Sequence, residues 1–393
     1  MASTSTLARS TEATTGAQPA KVLHVVNGEF YAGAERVQDL LALRLPQFGF
    51  EVGFACIKPN KFPAARQSQG CPLTELPIRG KWNLQSARDV ARLVRQEGYS
   101  LIHAHTPRSL LVGRVAAALA RVPLVYHIHS QTTTEVHPGW NCRLNAIMER
   151  LCLFGASAVI AVSASAQGFA RRQRIADRLI RLVPNGIPVR KELVPHQPTV
   201  RGQQSDNKQE WTLGTVALFR PRKGLEILLE ALSRLRGEGW PVRLRAVGPF
   251  ETPEYEREVR QRSEQLGLQE VIDWPGFTTD VEAELERMDL FVFPSLLAEG
   301  MPMVVLESMA AGVPIVASRV DGVIDVLGDD ADAGLLVPPG DAAALVKAIL
   351  QVVRGERDWN KLRQTAARRQ AEMFSDESMA RGVAQVYREV LAQ

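Results

Sequence analysis

Short apolar runs alternate with longer amphipathic stretches along almost the whole chain, the rhythm of strand followed by helix. In the first half the runs predict strands at 21–27, 51–57, 73–78, 100–105, 124–129 and 158–162. Helices are expected near 84–96, 110–120 and 141–154, and another carries Arg171, Arg172, Arg174 and Arg178. The rhythm pauses across 188–210, where Pro188, Pro195 and Pro198 sit among polar residues. It restarts at Trp211, with strands at 212–218, 242–247, 271–274, 290–293, 313–317 and 333–337 and helices between and after them. Apolar strands of this kind belong in a parallel sheet covered on both sides. The expected fold class is therefore α/β, with two β/α domains facing each other across a cleft. The boundaries are a disordered tail at 1–20, a first domain at 21–190, a linker at 191–210 and a second domain at 211–393. Ligands are expected at the carboxyl ends of the strands, inside the cleft.

The stretch Phe291–Ser318, FVFPSLLAEGMPMVVLESMAAGVPIVAS, holds the densest candidate chemistry. A buried strand runs into a polar loop and then a short helix, with Pro302 expected at the first helical position. The N–H groups of Met301, Met303 and Val304 would then point at an anion. Glu299 and Glu307 flank that point. A carboxylate repels phosphate, so the pair suits hydroxyl groups of a sugar ligand. The plainer reading is helix stability, since an acid near the first turn gains about 0.3–1 kcal/mol from the helix dipole. Arg220, Arg222 and Lys223 cluster in LFRPRKG, where a strand becomes a helix, and can neutralise a diphosphate; solvated surface charge explains any one of them as well. In the first domain KVLHVVN runs into NGEFYAGAE, and Gly33 lets the backbone approach a ligand, although a plain strand-to-helix turn needs no ligand.

Five of the seven histidines lie between His103 and His137, four of them as His103/His105 and His127/His129. Residues two apart on a strand share a face, so two such pairs on neighbouring strands can ligate a metal. That makes a metal-dependent hydrolase the main competing function. No acidic ligand signature follows the histidines, and rings that simply line a polar cleft satisfy the same pattern.

Length and charge refine this picture. At 393 residues the chain exceeds one ordinary core. With 45% hydrophobic and 23% charged residues it is a globular protein rather than a disordered one. Residues 1–200 carry 24 Lys and Arg against 12 Asp and Glu, whereas residues 201–393 carry 23 against 31. A basic first half suits an anionic acceptor or an anionic membrane surface, and the segment Phe169–Leu182 is a candidate for membrane contact; unpartnered surface charge fits equally. The four cysteines form no Cys-x-x-Cys motif, which fits reduced thiols in the cytoplasm. The first twenty residues lack the apolar run of a secretory signal. Leu151–Ala170 contains no charged side chain, but Gly155, Ala156 and Ser157 divide it into helix, turn and strand rather than a membrane span.

Taken together, PSLLAEGMPMVVLESMAAGVPIVAS, VPNGI at 183–187, RPRKG at 220–224, AVGP at 246–249 and GLLVPP at 334–339 resemble the retaining group 1 (family 4) glycosyltransferases, over about residues 20–393. The resemblance implies the GT-B fold, two Rossmann-like domains with the last helix returning to the first, and a donor that is a nucleotide-diphosphate sugar, UDP- or GDP-linked. It implies that Glu299 contacts the donor sugar and Glu307 the ribose, with Gly300, Met301 and Pro302 lying along sugar and diphosphate. Lys223 matches the family's phosphate lysine, His129 the first-domain histidine beside the sugar, Gly33 the second glycine of a Gly-Gly loop, and Phe277 the base-binding loop. The chain departs from the family at Ala32, at Ser130, and at Leu218, where an arginine is usual; Arg220 or Arg222 stands in for it.

The function that this implies is metal-independent transfer of a sugar to an acceptor hydroxyl, in polysaccharide or glycolipid synthesis. Lys223, a nearby arginine and the helix N-terminus would stabilise the departing diphosphate. No cofactor and no nucleic acid are expected, and a sugar or lipid-linked acceptor is. A cytoplasmic location, peripheral to the inner face of a membrane, follows from the same reading. A non-catalytic sugar-nucleotide binder would keep the fold and lose turnover.

Overall fold

The computed structural model describes residues 18–78, 84–129, 150, 152–193, 210–329 and 333–393. Most of the expected helix at 141–154, of the expected tail and of the expected linker lies outside the described residues. Two parallel sheets form the framework. The first contains β1 (Ala20–Val26), β2 (Phe50–Cys56), β3 (Leu73–Glu75), β4 (Leu101–Ala104), β5 (Leu124–Ile128), β6 (Ala158–Ala161) and β7 (Ile180–Leu182), in the order β3-β2-β1-β4-β5-β6-β7. The second contains β8 (Trp211–Val216), β9 (Val242–Val247), β10 (Ile272–Gly276), β11 (Leu290–Phe293), β12 (Ile315–Ser318) and β13 (Leu335–Val337), in the order β10-β9-β8-β11-β12-β13. In each sheet the chain order reverses beside the first strand, between β1 and β4 and between β8 and β11. At such a switch point the loops at the carboxyl ends diverge and leave a crevice.

Both sheets are buried on two faces, which is why their strands read as apolar runs. Val22, Leu23, Val25 and Val26 of β1 are all fully buried, as are Leu290, Phe291 and Val292 of β11. β7 is the strand that the apolar pattern does not reveal, being three residues at a sheet edge with Leu182 exposed. The helix Ala164–Arg172 stops earlier than its arginines suggest: Arg174 has a left-handed φ of 63° and Arg178 lies in a short 3-10 turn. Phe169–Leu182 is therefore shared among a helix end, a turn and β7. No helix among the described residues is long and apolar enough to cross a membrane.

The chain crosses between the sheets twice, and the crossings touch. Ile187 pairs in parallel with Ser375; its N–H donates to Phe374 O at 3.0 Å and its carbonyl accepts from Asp376 N at 2.9 Å. Gly186 makes this approach possible, since a Cβ there would lie 2.1 Å from Ser375 O. After the second crossing the helix Asp376–Leu391 lies on the first sheet, where Asp376 meets Arg44 at 2.6 Å and Tyr387 is fully buried.

Candidate active site

The helix Met303–Ala311 follows β11 and is buried on nearly every side, as its sequence MVVLESMAA requires. Pro302 is the N-cap of this helix rather than its first residue. Its ψ of 112° is extended, and its carbonyl accepts the N–H of Val305 at 3.1 Å. The N–H groups of Met303 and Val304 are left without an intrahelical acceptor, so the helix starts one residue later than expected. Gly300 and Met301, in the loop before it, are buried, and Asn185 from the first crossing donates to Met301 O at 3.2 Å.

Glu299 precedes this terminus, held by Glu299 N to Asp321 O at 3.0 Å and by the close backbone approach of Gly322, whose φ is 82°. Its Oε1 accepts from Lys223 Nζ at 2.7 Å and from Ser295 Oγ at 2.6 Å, and Arg222 approaches to 3.3 Å. Burial pushes this carboxyl up, yet the Lys223 and Arg222 cations more than offset burial and hold it below the usual carboxylate range. Burial draws the Lys223 ammonium below its own range against the pull of Glu299. Gly224 sets the geometry of the basic loop: its φ is 68°, and a Cβ would lie 2.1 Å from Pro294 O. Leu296 N and Ser295 Oγ both donate to Arg222 O, at 2.8 and 3.3 Å, so the two loops are laced together. Of the two candidates for the missing family arginine, Arg222 shares Glu299 with Lys223, whereas Arg220 pairs with Glu251 at 3.0 Å.

Glu307, one turn into the helix, is buried and meets Arg36 of the first domain at 2.5 Å. Arg36 thus occupies Glu307 Oε1, and Oε2 has no hydrogen-bond partner among the described residues. Burial raises this carboxyl against the opposing pull of Arg36. Gly33 faces the same helix start, since a Cβ on it would meet Met303 at 3.8 Å. Phe277 follows β10 and is half exposed, and the neighbouring Gly276 O accepts from Gly248 N at 2.8 Å.

Across the cleft, His129 follows β5 and its Nε2 lies 3.0 Å from His105 Nδ1. His105 sits at the corner where β4 meets the helix Pro107–Ala120, and its N–H donates to Ser109 Oγ at 3.0 Å within the Thr106–Ser109 capping box. The paired histidines do come together, joined by His24 of β1, whose register places it opposite His103. Tyr387 Oη lies 2.9 Å from His24 Nε2 and 2.6 Å from His103 Nδ1. Burial holds His24 and His129 at about 3 and the other three well below the usual range. All five rings are thus neutral near pH 7.

Arg36, His24 and Tyr387 are the site neighbours that motif reading does not find, whereas Ser295 and Asn185 lie inside quoted motifs without being singled out there. Of these three, Arg36 has a local signal, lying one helical turn from Gly33 at the start of the helix Gly33–Arg44.

Residues 32–186 match the Glycosyl transferase 4-like domain and residues 196–369 the family described as Glycosyl transferases group 1. The chain is 30% identical over 330 residues to the putative glycosyltransferase EpsF of Bacillus subtilis, covering 80% of this chain and 82% of that one. It is 29% identical over 271 residues to a phosphatidyl-myo-inositol mannosyltransferase of Mycobacterium leprae, covering 68% and 67% of the two chains. Among solved structures, Anabaena Alr3699/HepE in complex with UDP-glucose superposes with a TM-score of 0.79 at 21% identity, over 95% of this chain and 100% of that one. The sequence match supplies the family and the superposition supplies the architecture: the chain belongs to the group 1 glycosyltransferases and has the GT-B fold.

Proposed function

We propose that this glycosyltransferase moves a sugar from a nucleotide-diphosphate sugar to an acceptor hydroxyl with retention at the anomeric carbon. The observation that carries the donor assignment is Glu307. It is a buried carboxylate with one oxygen against Arg36 and the other lacking a hydrogen-bond partner among the described residues, beside a helix N-terminus that can face a diphosphate. In this reading the ribose hydroxyls donate to Glu307, the diphosphate lies along Gly300, Met301 and Pro302, and Phe277 offers its exposed ring to the base. Glu299 takes the donor sugar's hydroxyls with the oxygen that Lys223 does not occupy.

As the bond from the anomeric carbon to the phosphate oxygen breaks, negative charge grows on the diphosphate. Lys223, Arg222 and the helix N–H groups stabilise it there, with Arg220 in reserve at the loop. The acceptor oxygen attacks from the same face and its proton passes to the departing phosphate. His129 borders the sugar from the first domain, and neutrality suits it to a hydrogen bond rather than to a charge. The cations already present meet the charge demand, so the step needs no divalent ion.

The UDP-glucose bound by the Anabaena fold neighbour makes a uridine sugar the first donor to try, and a GDP sugar the second. A relative that acts on phosphatidyl-myo-inositol supports a sugar or lipid-linked acceptor, and with the basic first half supports peripheral contact with an anionic membrane from the cytoplasm. Calorimetry with UDP, GDP and ADP tests the donor site. One nucleotide should bind, and Glu307→Ala and Lys223→Ala should each weaken it at least tenfold. Unchanged affinity in both variants would overturn this placement.

A further inference from the structure

The first sheet carries more histidine than the cleft reading uses. His24, His103, His105, His127 and His129 form a continuous row of rings with neighbouring centroids 4.0–5.4 Å apart. Hydrogen bonds engage one nitrogen each of His24, His103, His105 and His129. Five buried ring nitrogens have no partner among the described residues: His24 Nδ1, His103 Nε2, His105 Nε2 and both nitrogens of His127. A buried polar atom is rarely left this way in a native protein, and five in one cluster point to something that occupies them.

Two overlapping triads each offer one nitrogen per ring with all three atoms within 4.8 Å of one another, His24–His103–His105 and His105–His127–His129. Access separates them. Tyr387 closes over His24 and His103, so an ion there would lie in a dry interior with no anionic ligand in the triad. The second triad ends in His129, which is partly exposed, so water can complete the coordination.

We propose that His105, His127 and His129 bind one divalent transition ion of the zinc class, entering from the cleft. Neutral imidazoles are the ligands such an ion prefers, and three with an open fourth position form a complete site. His105 Nδ1 and His129 Nε2 already face each other at 3.0 Å, and the ion would take the place of the proton between them, with one of the two unpartnered nitrogens of His127 completing the triad. The ion would engage His129, so zinc should suppress sugar transfer, and the site is inhibitory rather than catalytic. Binding itself does not depend on the transfer reading.

Cobalt and zinc titrations of the full chain, stripped of metal by a chelator, test this by calorimetry and visible absorption. The site predicts one ion per chain and the intense cobalt bands of four- or five-coordination. His127→Gln and His105→Gln should each weaken binding about a hundredfold, while His24→Gln keeps it. Near-ultraviolet circular dichroism checks that each variant is folded, and the wild-type cobalt spectrum decides alone if the variants are not. A weak octahedral spectrum, no saturable binding, or binding lost in His24→Gln but kept in His127→Gln would overturn the proposal. Zinc that binds with the expected variant pattern yet leaves transfer untouched would uphold the site and instead remove His129 from beside the donor.

Discussion

Acidification should unfold this protein through the histidine row. The unfolded chain takes up a proton at each ring near pH 6.5, whereas burial holds His24 and His129 at about 3 in the fold and the other three also low. A depressed folded value means that stability is full above the unfolded value and is lost as the pH falls towards the folded one. Between about pH 7.5 and pH 5.5 His24 and His129 then cost about 1–2 kcal/mol each, and His103, His105 and His127 add in the same direction. Glu35 works the other way. Burial raises it to about 7, so it regains stability as the pH falls through that value, by about 2 kcal/mol over the same window. Raised Glu307 adds in the same direction.

A net loss of a few kcal/mol is a large fraction of the whole stability of many domains. Urea unfolding at the two pH values, with a chelator present, measures it. His127→Leu removes a ring whose nitrogens have no partner among the described residues and should make the loss smaller. A change in wild-type stability below about 2 kcal/mol, or an identical pH slope in His127→Leu, would refute the reasoning.

Three further outcomes are expected. Arg36→Ala leaves Glu307 buried without its cation and should cost about 3 kcal/mol at pH 8 and less as the pH falls, because burial already raises this carboxyl and protonation relieves the unpaired charge, as read from urea midpoints. Gly224→Ala forces a side chain into a left-handed conformation against Pro294 O and should lose roughly 2–4 kcal/mol in the same assay; a neutral result would mean that the loop adapts. Proton NMR of the first product formed should show the anomeric configuration of the donor, and an inverted product would remove the same-face mechanism.

Much of the framework was legible because a doubly covered parallel sheet leaves a plain apolar signature, and β11 and β9 fall on the predicted residues. β7 escaped because a short edge strand buries too little to write a pattern. Pro302 was misplaced by one residue because a proline's fixed φ suits both the N-cap and the first helical position, and only ψ separates them. At the site, Glu299 and Lys223 stand out as charged residues inside loop motifs, and Glu307 as one in the apolar helix that follows. The Arg36–Glu307 pair did not, since its members are on different domains and only the folded cleft joins them. His24 sits singly in KVLHVV, and strand register, not spacing, sets it beside His103.

The central claim is that the cleft cleaves a nucleotide-diphosphate sugar through Lys223 and its neighbours. Release of nucleoside diphosphate from UDP-, GDP- and ADP-sugars by the purified chain, with and without a chelator, tests it most directly. The account predicts turnover with one of these donors, undiminished by the chelator and reduced at least a hundredfold in kcat by Lys223→Ala. Absence of release from every donor, or full activity in Lys223→Ala, would contradict it.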